Sequence, residues 1–100
     1  MIKHIVLWTL KPEAEGKTVE ENASLMKEKL EGLYGKIPEI VSIQVQPNTL
    51  RIEGNYDVSL IAEFESEEAM RIYQKHPLHE EIAVYVRKIA EKRAAIDFEF

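Results

Sequence analysis

The stretch Ile2-Lys3-His4-Ile5-Val6-Leu7-Trp8-Thr9-Leu10 carries apolar side chains on both faces of an extended strand. Alternate side chains of a strand point to opposite faces, so His4, Val6 and Trp8 share one face while Ile5 and Leu7 share the other. A half-exposed strand alternates apolar with polar residues, whereas a strand covered on both faces is almost continuously apolar. We therefore predict that this stretch is the first strand of a sheet whose second face is also covered.

Cap and turn signals divide the following residues into a helix and two strands. Thr18 and Glu21 form a capping-box pattern, and Gly35 ends the apolar stripe that follows, which predicts a first helix over residues 19–34. Residues 39–46 carry Val41, Ile43 and Val45 on one face and predict a second strand. Residues 56–65 alternate apolar with polar side chains and predict a third strand.

Ser66 and Pro77 mark the starts of two consecutive helices. Ser66 is an N-cap residue, and the helix it begins should stop near Lys75 because the residue before a proline avoids the α conformation. Pro77 suits the first position of a new helix, which the apolar stripe extends to about residue 93. Residues 95–100 alternate Ile96 and Phe98 with acidic residues and predict the last strand.

The resulting order, βαββααβ, indicates an α+β, ferredoxin-like domain over residues 1–100 with a four-stranded antiparallel sheet. Its helices would cover one face of the sheet. The other face would carry Ile5, Leu7 and either the Ile96 or the Asp97 set, since the sequence does not fix the parity of the last strand. Because bare apolar sheet faces mark partner surfaces, we expect a homodimer that packs through its sheet faces.

Composition excludes several classes of function. The 100-residue chain has a net charge of −5 with no basic block, so we expect no nucleic-acid partner and no membrane partner. It has no cysteine, which excludes disulfides, thiolate nucleophiles and iron–sulfur ligation. No apolar run is long enough to span a bilayer, and the first residues lack the cleavage region of a signal peptide. A cytoplasmic location is the resulting expectation.

The only dense group of chemistry-bearing residues is Tyr73, His76 and His79, with Pro77 between the two histidines. Histidine changes its charge near neutral pH, so Tyr73 and His79 could exchange protons with a bound molecule. Alternatively, Tyr73 is a core aromatic residue and the histidines cap the helix ends around Pro77. On spacing alone both interpretations stay open.

A metal site is a third interpretation, with His4, His76 and His79 as three imidazole ligands. Pro77 breaks the helical register between the second pair, and no Asp or Glu has suitable spacing, so we expect no metal and no cofactor. His4 is by itself compatible with a satisfied core residue. Asp97 lies beside His4 under the helices in one register of the last strand, and faces a partner or solvent in the other.

The chain resembles the stress-responsive A/B barrel (Dabb) family over essentially its whole length. The likeness is carried by the opening Met1-Ile2-Lys3-His4-Ile5-Val6-Leu7-Trp8, by Tyr56-Asp57, by Phe64-Glu65-Ser66, by Tyr73-x-x-His76-Pro77-x-His79 and by Ile96-Asp97-Phe98. The resemblance implies a dimeric α/β barrel. A plant polyketide cyclase belongs to this family, and the likeness implies acid–base roles for Tyr73 and His79. It places His4 and Asp97 on the pocket side, whereas Val58 stands where that cyclase has a histidine.

Three functional hypotheses follow. The first is a dimeric Dabb-domain protein whose cavity binds a small apolar or aromatic carbonyl ligand, with no activity assigned. The second is a cofactor-independent cyclase or isomerase that uses Tyr73 and His79 as acid and base. The third is a structural or stress-protective dimer with an incidental pocket. The candidate ligand-binding residues are His4, Val6, Trp8, Val58, Leu60, His76 and Asp97.

Overall fold

The computed structural model describes residues 1–100 as nine elements. Six of them are strands: β1 (Ile2–Leu10), β2 (Glu13–Ala14), β3 (Lys17–Thr18), β4 (Ser42–Pro47), β5 (Val58–Phe64) and β6 (Ala90–Glu99). Three are helices: α1 (Val19–Glu31), α2 (Glu67–Lys75) and α3 (Pro77–Ile89). None of the helices is long and apolar enough to cross a membrane.

The main sheet confirms the predicted ferredoxin-like α+β fold. Its four strands are antiparallel and run in the order β4-β5-β1-β6, so β1 lies between β5 and β6. The sheet of one chain stays open, with β4 and β6 as its edges, and does not close into a barrel.

The hydrophobic core lies between one face of this sheet and the three helices. Alternate residues of β1 and β5 are buried there, because Val6 pairs with Leu60 and Trp8 pairs with Val58 across the two strands. Helix α1 adds Met26 to the same core. Local signals start the helices: the Thr18–Glu21 capping box opens α1, and the Ser66 hydroxyl accepts a hydrogen bond from Ala69 N at 3.1 Å.

The opposite face of the sheet carries a group of apolar side chains, with the Lys3–Glu63 ion pair beside them, and has no cover within the chain. Ile5 pairs with Ile96 and with Ile61, so the three side chains share this face. Ile96 is 59% exposed and Phe98 is 41% exposed. This parity places Asp97 on the helix side, opposite His4, which answers the question that the sequence pattern left open.

Several boundaries differ from the sequence predictions, and the strands predicted over 39–46 and 56–65 are Ser42–Pro47 and Val58–Phe64 in the structure. Helix α1 ends at Glu31 rather than near Tyr34, because the chain turns after Gly32, whose N–H still donates to Glu28 O at 3.0 Å. Helix α3 ends at Ile89, and the strand predicted over 95–100 begins at Ala90 and pairs with β1 from there. The hairpin of β2 and β3 was not predicted. Its turn residues Glu15 and Gly16 have φ of 52° and 73°, and a non-glycine residue seldom adopts the first of these.

Candidate functional site

A break between α2 and α3 positions the two central side chains of the site. Pro77 has no N–H, so the Tyr73 carbonyl accepts from His76 N at 3.2 Å instead of continuing the helix. The His76 Nδ1 then accepts from Leu78 N at 3.1 Å and caps α3. Because Leu78 N would otherwise bond to Gln74 O in a continuous helix, the break frees the Gln74 carbonyl.

His79 uses this free carbonyl. Its Nδ1 lies 3.1 Å from Gln74 O, and a carbonyl only accepts, so Nδ1 carries the hydrogen. In the neutral ring Nε2 is then a free acceptor. Burial lowers the pKa of His79, and the nearby His4 and Arg87 lower it further. The hydrogen bond to Gln74 and the charge of Glu80 oppose this shift. The ring is therefore neutral at pH 7 and can act as a base.

Tyr73 lies against His79 with its hydroxyl free of partners. The two rings have centroids 4.5 Å apart, and the Phe64 ring supports Tyr73 from the other side at 5.0 Å. The residue is only 1% exposed, and burial alone raises the pKa of its hydroxyl. No group of the chain forms a hydrogen bond with it, so the neutral hydroxyl is a donor that is available to a bound molecule.

His4 and Asp97 form a second polar pair on the same side of the sheet. The His4 Nδ1 bonds to an Asp97 carboxylate oxygen, and because a carboxylate accepts, Nδ1 donates. His4 is buried, while the Asp97 side chain on the edge strand β6 is 42% exposed. The pair fixes the orientation of the His4 ring and leaves its Nε2 without a partner in the chain.

These side chains surround a cavity between the sheet and the α2–α3 layer. Its volume is about 530 Å³, within the range that small-molecule sites occupy in proteins. The sheet contributes the apolar side chains of Val6, Trp8 and Leu60, α2 and α3 contribute the polar groups of Tyr73, Gln74 and His79, and charged residues of α3 and β6 complete the lining. A neutral donor and a neutral acceptor beside an apolar surface suit a molecule with a carbonyl or hydroxyl group on an apolar body.

The cavity wall includes most of the predicted site residues and omits three. Those on the wall are Tyr73, His79, His4, Val6, Trp8 and Leu60. Val58 is buried and pairs with Trp8 across the two strands, and His76 serves as the cap between the helices. Asp97 contacts the site through His4 rather than from the wall itself.

Sequence reasoning missed the wall that is formed by the later part of α3 and the start of β6. Its members are Leu30 of α1 with Ala83, Val86, Arg87, Ala90, Glu91, Lys92 and Arg93. The misplaced boundary between α3 and β6 hid most of this set, since it assigned the last residues to a helix that does not continue. The role of Gln74 was also missed, because Pro77 removes the donor to the Tyr73 carbonyl, whereas the Gln74 carbonyl is freed by the bond from Leu78 N to the His76 side chain.

The three histidines do not form one ligand set. His4 bonds to Asp97, His76 caps α3 and His79 bonds to a backbone carbonyl. No three His, Asp or Glu side chains are grouped closely enough to hold a metal ion.

Comparison with known proteins gives a consistent family and fold. The family model described as the stress responsive A/B barrel domain matches residues 2–100, whereas no curated protein matches the chain. A dimeric protein of unknown function with a ferredoxin-like fold from Bacteroides fragilis is 32% identical, with a TM-score of 0.83, over 99% of this chain and 95% of that one.

Two further solved structures share the fold. A dimeric ferredoxin-like protein of unknown function from Thermobifida fusca is 25% identical, with a TM-score of 0.84, over 99% of this chain and 90% of that one. A hydroxynitrile lyase from Passiflora edulis has 14% identity and a TM-score of 0.80 over 97% and 90% of the two chains, which shows the fold alone. The two bacterial proteins are dimeric, and this supports homodimer formation here.

Proposed function

Since the chain belongs to the stress responsive A/B barrel domain family, we propose that it is a homodimer that binds a small apolar or aromatic carbonyl compound in the cavity beneath α2 and α3. The Tyr73 hydroxyl donates to the carbonyl oxygen of this compound. The apolar body lies against Val6, Trp8 and Leu60 on the sheet.

One observation carries this proposal, namely the unpartnered hydroxyl of a residue that is almost completely buried. Thr9 Oγ1 is the only buried side-chain nitrogen or oxygen atom without a hydrogen-bond partner, so the Tyr73 hydroxyl opens onto the cavity, where a bound molecule can reach it. Tyr73 has no partner in the chain and lies on the wall of a cavity. A ligand carbonyl supplies the missing acceptor.

Calorimetric titration with 2-acetonaphthone, a neutral aromatic ketone, tests the binding proposal. We expect saturable binding by the wild type, and affinity about five- to tenfold lower for Tyr73→Phe, which removes one hydrogen bond worth roughly 1 kcal/mol. Tyr34→Phe is the matched control, since Tyr34 is 61% exposed and outside the cavity. Equal affinity for the wild type and Tyr73→Phe would contradict the role given to this hydroxyl.

A second candidate function is acid–base catalysis, which the tautomer of His79 favours. With Nδ1 bonded to Gln74 O, the neutral Nε2 can take a proton from the carbon next to the ligand carbonyl. The Tyr73 hydroxyl stabilises the enolate oxygen that forms, and return of the proton from His79 regenerates the ketone. Enolisation of this kind precedes aldol cyclisation and isomerisation, and it needs no cofactor.

Hydrogen–deuterium exchange distinguishes an enzyme from a binding protein. In D2O, the protein should accelerate exchange of the methyl protons of 2-acetonaphthone, as followed by proton NMR. His79→Gln should abolish the acceleration while the ketone still binds. If the wild type binds the ketone but does not accelerate the exchange, the binding function is supported and the catalytic function is wrong. Failure of every carbonyl compound to bind would instead favour a structural dimer.

The homodimer in this proposal forms through the uncovered sheet face that carries Ile5, Ile61, Ile96 and Phe98. Burial of this face against a second copy would cover β1 on both sides, as its apolar sequence requires. The two sheets together would then enclose a dimeric α/β barrel. A cytoplasmic location, with no nucleic-acid or membrane partner, belongs to the same proposal and rests on the acidic, cysteine-free composition.

A further inference from the structure

The mouth of the cavity carries two arginines that have no partner. The chain has four arginines, and two of them are in ion pairs: Arg51 with Glu20, and Arg71 with Glu67. The other two, Arg87 of α3 and Arg93 of β6, form no salt bridge, and both line the same cavity. The unpaired arginines of this acidic chain are therefore at the candidate site and nowhere else.

The position of these arginines relative to the inner groups indicates the shape of a ligand. Tyr73 is almost completely buried, whereas Arg87 and Arg93 are exposed, so the polar groups of the cavity lie at two depths. Arg93 pairs with Trp8 across the strands and thus points to the cavity side of the sheet. The apolar body of a ligand can lie against Trp8 while the charged end of the same ligand reaches the arginines.

The carboxylates on the cavity wall are not bonded to either arginine. Glu80 and Glu91 also line the cavity, but neither forms an ion pair with an arginine. Lys92 also lines the cavity, but it pairs with Thr9, which faces the other side of the sheet, so the arginines are the two cations that we assign to the site. A guanidinium group is planar, remains charged at all relevant pH values and matches carboxylate and phosphate oxygens with two parallel donors.

We propose that the ligand is an anion, with an aromatic or acyl body inside the cavity and a carboxylate or phosphate head held by Arg87 and Arg93 at the mouth. This inference rests on the proposed binding function and narrows its ligand class. The inner Tyr73 hydroxyl and the outer arginine pair then define the two ends of one elongated molecule.

Three probes with the same ring system test the inference by calorimetry on the full chain: 2-naphthoate, 2-naphthyl phosphate and the neutral 2-acetonaphthone. We expect one of the anions to bind more tightly than the ketone at low ionic strength. Added NaCl should lower the affinity for the anion and leave the affinity for the ketone unchanged. Tighter binding of the naphthoate assigns a carboxylate head, and tighter binding of the naphthyl phosphate assigns a phosphate head.

Substitutions locate the contact. Arg87→Gln and Arg93→Gln should each lower the affinity for the preferred anion by roughly three- to tenfold, as expected for a charge-assisted contact that is partly open to solvent. The affinity for the ketone should not change in either variant. Arg71→Gln is the matched control because Arg71 is exposed on α2 and outside the cavity wall.

The results distinguish a failure of the anionic ligand class from a failure of the binding function. If the ketone binds as tightly as both anions, or if the double variant Arg87→Gln/Arg93→Gln keeps the preference for the anion, the anionic ligand class is wrong while the binding function stands. If none of the three compounds binds to the wild type, both proposals are overturned.

Discussion

Tyr73 and Tyr85 both lie on the helices, and they differ in whether the hydroxyl has a partner. The Tyr85 hydroxyl donates to Asn22 Oδ1 at 2.6 Å, and Asn22 is completely buried. The Tyr73 hydroxyl has no partner in the chain. The two residues therefore form a matched pair in which the same substitution, tyrosine to phenylalanine, has different consequences.

We predict that Tyr85→Phe lowers the free energy of unfolding by about 1–3 kcal/mol, because it leaves a buried acceptor of Asn22 unsatisfied. Tyr73→Phe should change the free energy of unfolding by less than about 0.5 kcal/mol, since no hydrogen bond within the chain is lost. Urea denaturation measures both. A loss of several kcal/mol in Tyr73→Phe would mean that the hydroxyl is part of the core.

The depressed pKa of His79 predicts a pH dependence of stability. Because the pKa in the folded state lies below the unfolded value of about 6.5, the unfolded chain binds more protons between the two values. The free energy of unfolding therefore decreases as the pH falls below about 6.5, until the folded-state pKa is passed. His79→Gln should show a shallower decrease between pH 6.5 and 5 than the wild type in urea denaturation. Identical slopes would show that His79 is not desolvated.

The residues of the site were predictable to different degrees. The chain has only three histidines, and two of them follow Tyr73 within six residues, so composition and spacing draw attention to His4, Tyr73 and His79. The side of the sheet occupied by Asp97 was not predictable, because strand parity depends on pairing with β1 and a shift of one residue reverses it. Arg87 and Arg93 gave no signal, since exposed arginines are common on any helix or strand surface.

At the scale of elements, the junction of α2 and α3 depends on His76. Its backbone N–H closes α2 and its Nδ1 accepts from Leu78 N at the start of α3. We predict that His76→Ala lowers the free energy of unfolding by about 0.5–1.5 kcal/mol through loss of the cap, and that His76→Asn restores most of it, because asparagine is a strong N-cap residue. Thermal or urea unfolding of the two variants checks this.

Ligand binding by a His76 variant tests whether this residue is part of the site. The residue is not on the cavity wall, so His76→Asn should bind 2-acetonaphthone as tightly as the wild type. A loss of affinity in this stable variant would instead give His76 a direct part in ligand binding.

Element types were more predictable than element ends. The apolar pattern of β1, the Ser66 cap and Pro77 each have a local physical cause, and those elements begin or end as predicted. Residues 90–94, Ala-Glu-Lys-Arg-Ala, are good helix formers, and local preference therefore extends α3 through them. Pairing with β1 overrides that preference, and only the tertiary structure contains the information.

At the scale of the whole molecule, the uncovered sheet face predicts self-association. The wild type should be a dimer at micromolar concentration in sedimentation velocity experiments. Ile96→Asp should weaken dimerisation by at least roughly tenfold, because a charge would enter an apolar interface. Ile72→Asp is the control, since Ile72 is 44% exposed but lies on α2, away from this face. A monomeric wild type, or equal effects of the two substitutions, would contradict an interface through the sheets.

If the Tyr73 hydroxyl recognises a carbonyl group in the cavity, the carbonyl carbon of the ligand reports this contact directly. A hydrogen bond to a ketone oxygen moves its 13C resonance downfield, so NMR of 2-acetonaphthone labelled at the carbonyl carbon should show a downfield shift on binding to the wild type. The shift should be lost in saturated Tyr73→Phe. A carbonyl resonance that is the same in both saturated complexes would show that the hydroxyl does not contact the ligand, and the account of the site would be wrong.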